Sequence, residues 1–91
     1  MTGFNGKTAL VTGAAGGIGL AVVRLLRERG ARVAAADRDL SGVEAEARLP
    51  GDLREAAYAD GLPAAALQAL GRLDIVVNNA GVIARGPVTE T

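Results

Sequence analysis

The period of apolar and polar positions changes several times along the chain. Residues 8–12, Thr-Ala-Leu-Val-Thr, are an uncharged run with β-branched side chains, closed by Gly13. A run this short between breakers predicts a strand buried on both faces. Over 17–29, Ile18, Val22, Leu25 and Leu26 recur at i, i+4, i+7 and i+8, with Arg24, Arg27 and Glu28 between them. That spacing predicts an amphipathic helix with those four residues on its packed face. Gly30 follows the basic last turn of Arg27 and Arg29 and should stop it, and residues 32–36 read as a second strand ending at Asp37.

Strand, helix and strand within thirty residues leave one arrangement, parallel neighbours joined by a right-handed crossover. The fold class is therefore α/β. Further on, a short helix is expected within 40–48 and a short third strand near 47–49, before Pro50, Gly51 and Asp52. Residues 54–70 are alanine-rich and helical in propensity. Gly61 and Pro63 interrupt them, which predicts two short helices or a break before Pro63, with Gly71 as the stop. Residues 73–77, Leu-Asp-Ile-Val-Val, are the most strand-like run and lead into Asn78-Asn79-Ala80-Gly81. Four strands in the order 3-2-1-4 make the first half of a Rossmann-type doubly wound sheet.

Composition narrows the chemistry. Phe4 and Tyr58 are the only aromatic residues, so the core must be built from Ala, Val, Leu and Ile. Ten basic and ten acidic side chains are interspersed, which argues against a nucleic-acid partner. With neither cysteine nor histidine, the chain offers no disulfide, thiolate, imidazole base or usual zinc site. Neither a leader pattern nor an apolar run long enough to span a membrane is present, so a soluble cytoplasmic protein without a membrane partner is expected.

The chemical signal lies between the first strand and its helix, in Thr12-Gly13-Ala14-Ala15-Gly16-Gly17-Ile18-Gly19. Glycines allow a tight turn and close approach of backbone N–H groups to an anion, and a helix N-terminus adds free donors and partial positive charge. A pyrophosphate suits that place. The spacing satisfies G-x-x-x-G-x-G through Gly13, Gly17 and Gly19, and G-x-x-G-x-x-G through Gly13, Gly16 and Gly19. Asp37, eighteen residues after Gly19, can accept hydrogen bonds from both hydroxyls of an adenosine ribose. Its charge would repel a 2′-phosphate, which favours NAD over NADP. Arg38 is of the type that could serve a 2′-phosphate, stack on adenine or stay solvated beside Asp39.

The glycine loop and Asn78-Asn79-Ala80-Gly81 together resemble the short-chain dehydrogenase/reductase family, and the opening from Phe4 to Gly13 is similar as well. The resemblance runs over essentially the whole chain and favours the ordinary branch of the family over the extended one. It implies that Gly13, Gly17, Ile18 and Gly19 line the cofactor's phosphates and Asp37 holds the adenosine ribose, with Arg38 beside it. Asp52 and Leu53 would border the adenine, and Asn79, Ala80 and Gly81 would flank the ribose and steady the fourth strand.

The family's serine, tyrosine and lysine, the lysine four residues beyond the tyrosine, would follow later in a chain. Ser41, Tyr58 and Lys7 are the only residues of their types and position 62 is leucine, so no catalytic residue is assigned here. Residues 1–91 are then expected to be the N-terminal part of one NAD(P)-binding Rossmann domain, continued beyond Thr91. The expected activity is that of an oxidoreductase interconverting an alcohol and a carbonyl, homodimeric or tetrameric at full length. A non-catalytic nucleotide-binding module, or an isomerase or dehydratase with tightly held NAD, stays open as an alternative.

Overall fold

In the computed structural model, residues 3–79 are described. In chain order they form β1 (Thr8–Thr12), α1 (Gly17–Glu28), β2 (Arg32–Asp37), β3 (Ala47–Pro50), α2 (Ala56–Leu70) and β4 (Ile75–Asn78). The strands make one parallel sheet in the order β3-β2-β1-β4. The α/β class and the half-sheet order both agree with the sequence.

Alternation along the two central strands divides the core between the two faces of the sheet. Ala9, Val11, Val33 and Ala35 face one side, where Val23 and Leu26 of α1 pack with Leu40 and Val43. Leu10, Ala34 and Ala36 face the other, against Leu62, Ala66 and Leu70 of α2. Runs of fully buried alanine in β2 let a helix come close on each face. Register brings Thr12 level with Ala36 on one side and Asn78 on the other. The carboxyl ends of β1, β2 and β4 therefore share one edge.

Three expectations need correction. The packed face of α1 is Gly19, Val23 and Leu26, while Ile18 is 73% exposed and Leu25 46% exposed. The stripe begins at a glycine, which apolar periodicity does not register. Residues 40–46 form no helix: Gly42 takes a φ of +79°, and Leu40 and Val43 are buried from a turn instead. Finally, α2 runs unbroken with Pro63 inside it. Pro63 and Gly61 both lie on the exposed side, and burial of Leu62, Ala66 and Leu70 at i, i+4 and i+8 offsets the one helical hydrogen bond proline removes.

The stops fall where glycine was read as a stop. Gly71 caps α2 in the left-handed region at φ +87°, and Gly30 follows α1 at φ +96°. At the amino edge of the sheet, Asp74 Oδ2 accepts the Thr8 N–H at 2.9 Å, and Arg72 grips the same carboxylate through Nε and Nη2 at 3.0 and 2.8 Å. The start of β4 is thus tied to the start of β1. Glu46 does similar work for β2: one oxygen accepts the Val33 N–H at 2.7 Å and the other faces Arg27 of α1 at 3.3 Å.

Candidate functional site

The loop between β1 and α1 is built by three backbone constraints. Gly13 turns the chain with φ +67°. The Ala14 N–H then reaches across to the Ala36 carbonyl at 3.1 Å, and the Gly16 N–H closes back on the Gly13 carbonyl at 3.2 Å. α1 follows at once, entered through Gly16 in extended backbone with no side-chain cap. Leu20 makes the first closing bond of the helix, to the Gly16 carbonyl at 2.8 Å. The N–H groups of Gly17, Ile18 and Gly19 precede it and have no intrahelical acceptor.

The glycines have different reasons to be there. An ideal Cβ at Gly19 would meet the Gly13 carbonyl oxygen at 1.9 Å, so the close approach of α1 to the loop demands glycine. A Cβ at Gly17 would meet nothing within 4 Å. The fold does not require Gly17; it leaves open space over the free N–H groups instead. Exposed Ala15, Gly16, Gly17 and Ile18 form the outer rim of this cradle.

Asp37 stands at the end of β2 beside the loop. Its Oδ2 accepts the Ala15 N–H at 3.0 Å, and its Oδ1 accepts the Arg38 N–H at 2.6 Å. A carboxylate offers about four acceptor positions, so two bonds leave room for two more donors. Arg38 lies with Asp39, Leu40, Ser41, Arg48 and Pro50 around an open hollow next to Asp37. Asp39 is occupied by the Ser41 hydroxyl and N–H, which hold its carboxyl below the usual range.

Beyond β3, the Gly51 N–H donates to the Asp37 carbonyl at 3.0 Å. The Tyr58 ring lies on Gly51 and its hydroxyl donates to the Leu49 carbonyl. Burial, and then the nearby Asp37 charge, push the Tyr58 phenol above its usual pKa. Asp52 is clasped by Arg54, through its guanidinium and N–H, and these bonds hold its carboxyl down to about 2, with Arg38 adding a weaker pull. Leu53 packs into the core on the α2 side.

At the end of β4 the Thr12 hydroxyl accepts the Asn79 N–H at 3.0 Å and faces Asn78 Oδ1 at 3.1 Å. The carboxyl ends of β1 and β4 are thereby joined by one side chain.

Of the residues singled out from the sequence, Gly13, Gly17, Ile18, Gly19, Asp37 and Arg38 gather around the loop. Asp52 and Leu53 stand at the end of β3, and Asn79 at the end of β4. Ala80 and Gly81 lie outside the described residues. Sequence reasoning assigned no site role to Ala15, Thr12 or Tyr58. Thr12 carried a signal as the last strand residue before Gly13; the Ala15 contact is made by backbone and left none.

A family model for the short chain dehydrogenases matches residues 7–91. The chain belongs to the short-chain dehydrogenase family. Among relatives of this short-chain dehydrogenase chain are D-threitol dehydrogenase of Mycolicibacterium smegmatis and 2,3-dihydro-2,3-dihydroxybenzoate dehydrogenase of Bacillus subtilis. The first is 41% identical over 96% of this chain and 38% of its own length, the second 41% over 92% and 36%. The crystal structure of the Brucella melitensis 3-ketoacyl-(acyl-carrier-protein) reductase complexed with NADH superposes with a TM-score of 0.76 at 37% identity, covering 87% of this chain and 36% of that one. The short-chain dehydrogenase chain thus spans less than two-fifths of the length of each of these relatives.

Proposed function

We propose that the full-length protein is an NAD-dependent oxidoreductase that interconverts an alcohol and a carbonyl, and that residues 1–91 supply much of its cofactor site. One observation carries this reading: the free N–H groups that open α1 and the Asp37 carboxylate meet at the carboxyl edge of the sheet, where order reverses between β1 and β4. Open α/β sheets bind dinucleotides at such a point. Family membership, and a family neighbour crystallised with NADH, support the same cofactor class.

In this proposal the N–H groups of Gly17, Ile18 and Gly19 hold the pyrophosphate, in the open space over Gly17, and Gly13 lines it by turning the loop at φ +67°. Asp37 accepts the adenosine ribose hydroxyls on its two remaining acceptor positions and disfavours a 2′-phosphate by its charge. Arg38 borders that ribose. Asp52 and Leu53 flank the adenine, while Asn79, Ala80 and Gly81 line the ribose nearer the fourth strand. A bound nicotinamide would supply the hydride acceptor. Tyr58, committed to the Leu49 carbonyl beneath the adenine end, takes no part in proton transfer.

The remainder of the domain is proposed to lie beyond Thr91 and to cover apolar surface left open on both sides of the switch point. Ile18, Leu25 and Val76 are the residues concerned.

Steady-state assay of the full-length protein with NAD+ against a panel of polyols and secondary alcohols, D-threitol included, tests the activity. NADH formation with at least one alcohol is expected. Tight NAD+ binding without turnover on any alcohol or carbonyl would instead favour a nucleotide-binding module.

A further inference from the structure

Asp37 is bonded to the phosphate loop as well as to its own turn. Ala15 sits between the Ala14 N–H, anchored on Ala36, and Gly16, whose N–H closes the turn on Gly13. The Ala15 N–H is the one loop donor here that ends on a side chain, the Asp37 Oδ2, at 3.0 Å across twenty-two residues of sequence. Asp37 in turn is held by the Arg38 N–H at 2.6 Å and by the pairing of its strand with β3. A donor on the exposed rim of the loop is thus fixed to a carboxylate on a rigid strand end.

We propose that Asp37 is a positioning residue for the phosphate loop, setting pyrophosphate affinity through the Ala15 N–H in addition to any contact with ribose. This rests on the nucleotide site described above and deepens it. The pyrophosphate donors of Gly17, Ile18 and Gly19 begin two residues after Ala15, so a loop released at Ala15 presents them less well ordered. Loop order that is already present before binding need not be supplied by the ligand.

Charge acts in the opposite direction, because removing Asp37 also removes a repulsion from the pyrophosphate. The two effects separate if charge is held constant. Asp37→Asn and Asp37→Ala both abolish the charge, but only asparagine keeps an acceptor within reach of Ala15.

The decisive probe is 2′,3′-dideoxy-ADP, which carries the pyrophosphate and lacks the ribose hydroxyls, titrated beside ADP into the full-length protein and both variants. Asp37→Asn should bind dideoxy-ADP about fivefold more tightly than Asp37→Ala, the worth of one hydrogen bond in partial solvent. Equal affinities of the two variants for dideoxy-ADP would overturn the positioning role, even where both lose affinity for ADP. Failure of the unsubstituted protein to bind ADP at all would instead overturn the nucleotide site itself.

Amide hydrogen exchange in the unliganded parent gives a second readout that needs no variant. Ala15 should exchange at least about tenfold more slowly than an open loop amide, as expected of a bonded N–H. Exchange as fast as an open loop would contradict the proposal.

Discussion

Gly19 of α1 and Gly13 of the preceding loop approach so closely that a Cβ on Gly19 would stand 1.9 Å from the Gly13 carbonyl oxygen and 2.8 Å from its carbon. Backbone cannot yield as a flexible side chain can. Gly19→Ala should therefore destabilise the protein by at least about 3 kcal/mol, at or beyond the upper end of ordinary overpacking. Gly17→Ala meets no neighbour and should leave the melting temperature unchanged or raise it slightly, since alanine favours helix over glycine. It should nevertheless weaken NAD+ binding, by about tenfold if one phosphate hydrogen bond is lost. Thermal melts beside nucleotide titrations of the two variants separate the fold's glycine from the ligand's.

Gly51 and Tyr58 form a second obligatory pair. A Cβ at Gly51 would lie 2.4 to 2.7 Å from three atoms of the Tyr58 ring. Gly51→Ala should cost about 1–3 kcal/mol. Here the obstacle is a side chain, so Tyr58→Leu should relieve part of it: in a denaturation double-mutant cycle the double variant should be more stable than the sum of the single effects. Strict additivity would mean that the ring moves aside without cost.

Acid should loosen the sheet through Asp74, which ties the start of β4 to Thr8 of β1. The Arg72 guanidinium, then the Thr8 N–H, hold the Asp74 carboxyl down to about 2, against an ordinary 3.8. A folded-state pKa below the unfolded one contributes stability above about pH 4, and the contribution fades as pH falls towards 2. Asp52, also held at about 2, titrates in the same window. Asp74→Asn should therefore be less stable than the parent near neutrality and lose less on acidification from pH 4 to 2. Parallel stability curves in urea melts across that window would contradict the assignment.

Much of the sheet was legible because its evidence is local. The β1–α1–β2 unit is marked by breakers at Gly13, Gly30 and Asp37, and parallel pairing follows from connection length. The misjudged parts all involve tertiary packing that overrides a local rule. Pro63 should end a helix, yet the α2 stripe of Leu62, Ala66 and Leu70 holds it together across an exposed proline. Leu40 and Val43 have helical spacing, but Gly42 at φ +79° turns them inward as a loop. In α1 the buried stripe runs through Gly19, which carries no hydrophobic signal because its role is to be small.

The site divides along the same line. Glycine spacing and the acidic end of β2 were readable, since both are side-chain identities at fixed offsets. The Ala15 N–H on Asp37 was not, and of Thr12 only its place at the strand end was readable, not the hydroxyl's link between β1 and β4. The first is a backbone donor and the second depends on a strand pairing sixty-seven residues apart in sequence.

The most direct test of a dinucleotide site with Asp37 as its ribose residue is equilibrium titration of the full-length protein and Asp37→Ala with NAD+ and NADP+ under identical salt. The parent should bind NAD+ at least about tenfold more tightly than NADP+, and Asp37→Ala should lose most of that preference, one displaced charge repulsion being enough for the difference. A parent that prefers NADP+, or a preference that Asp37→Ala leaves intact, would contradict the account.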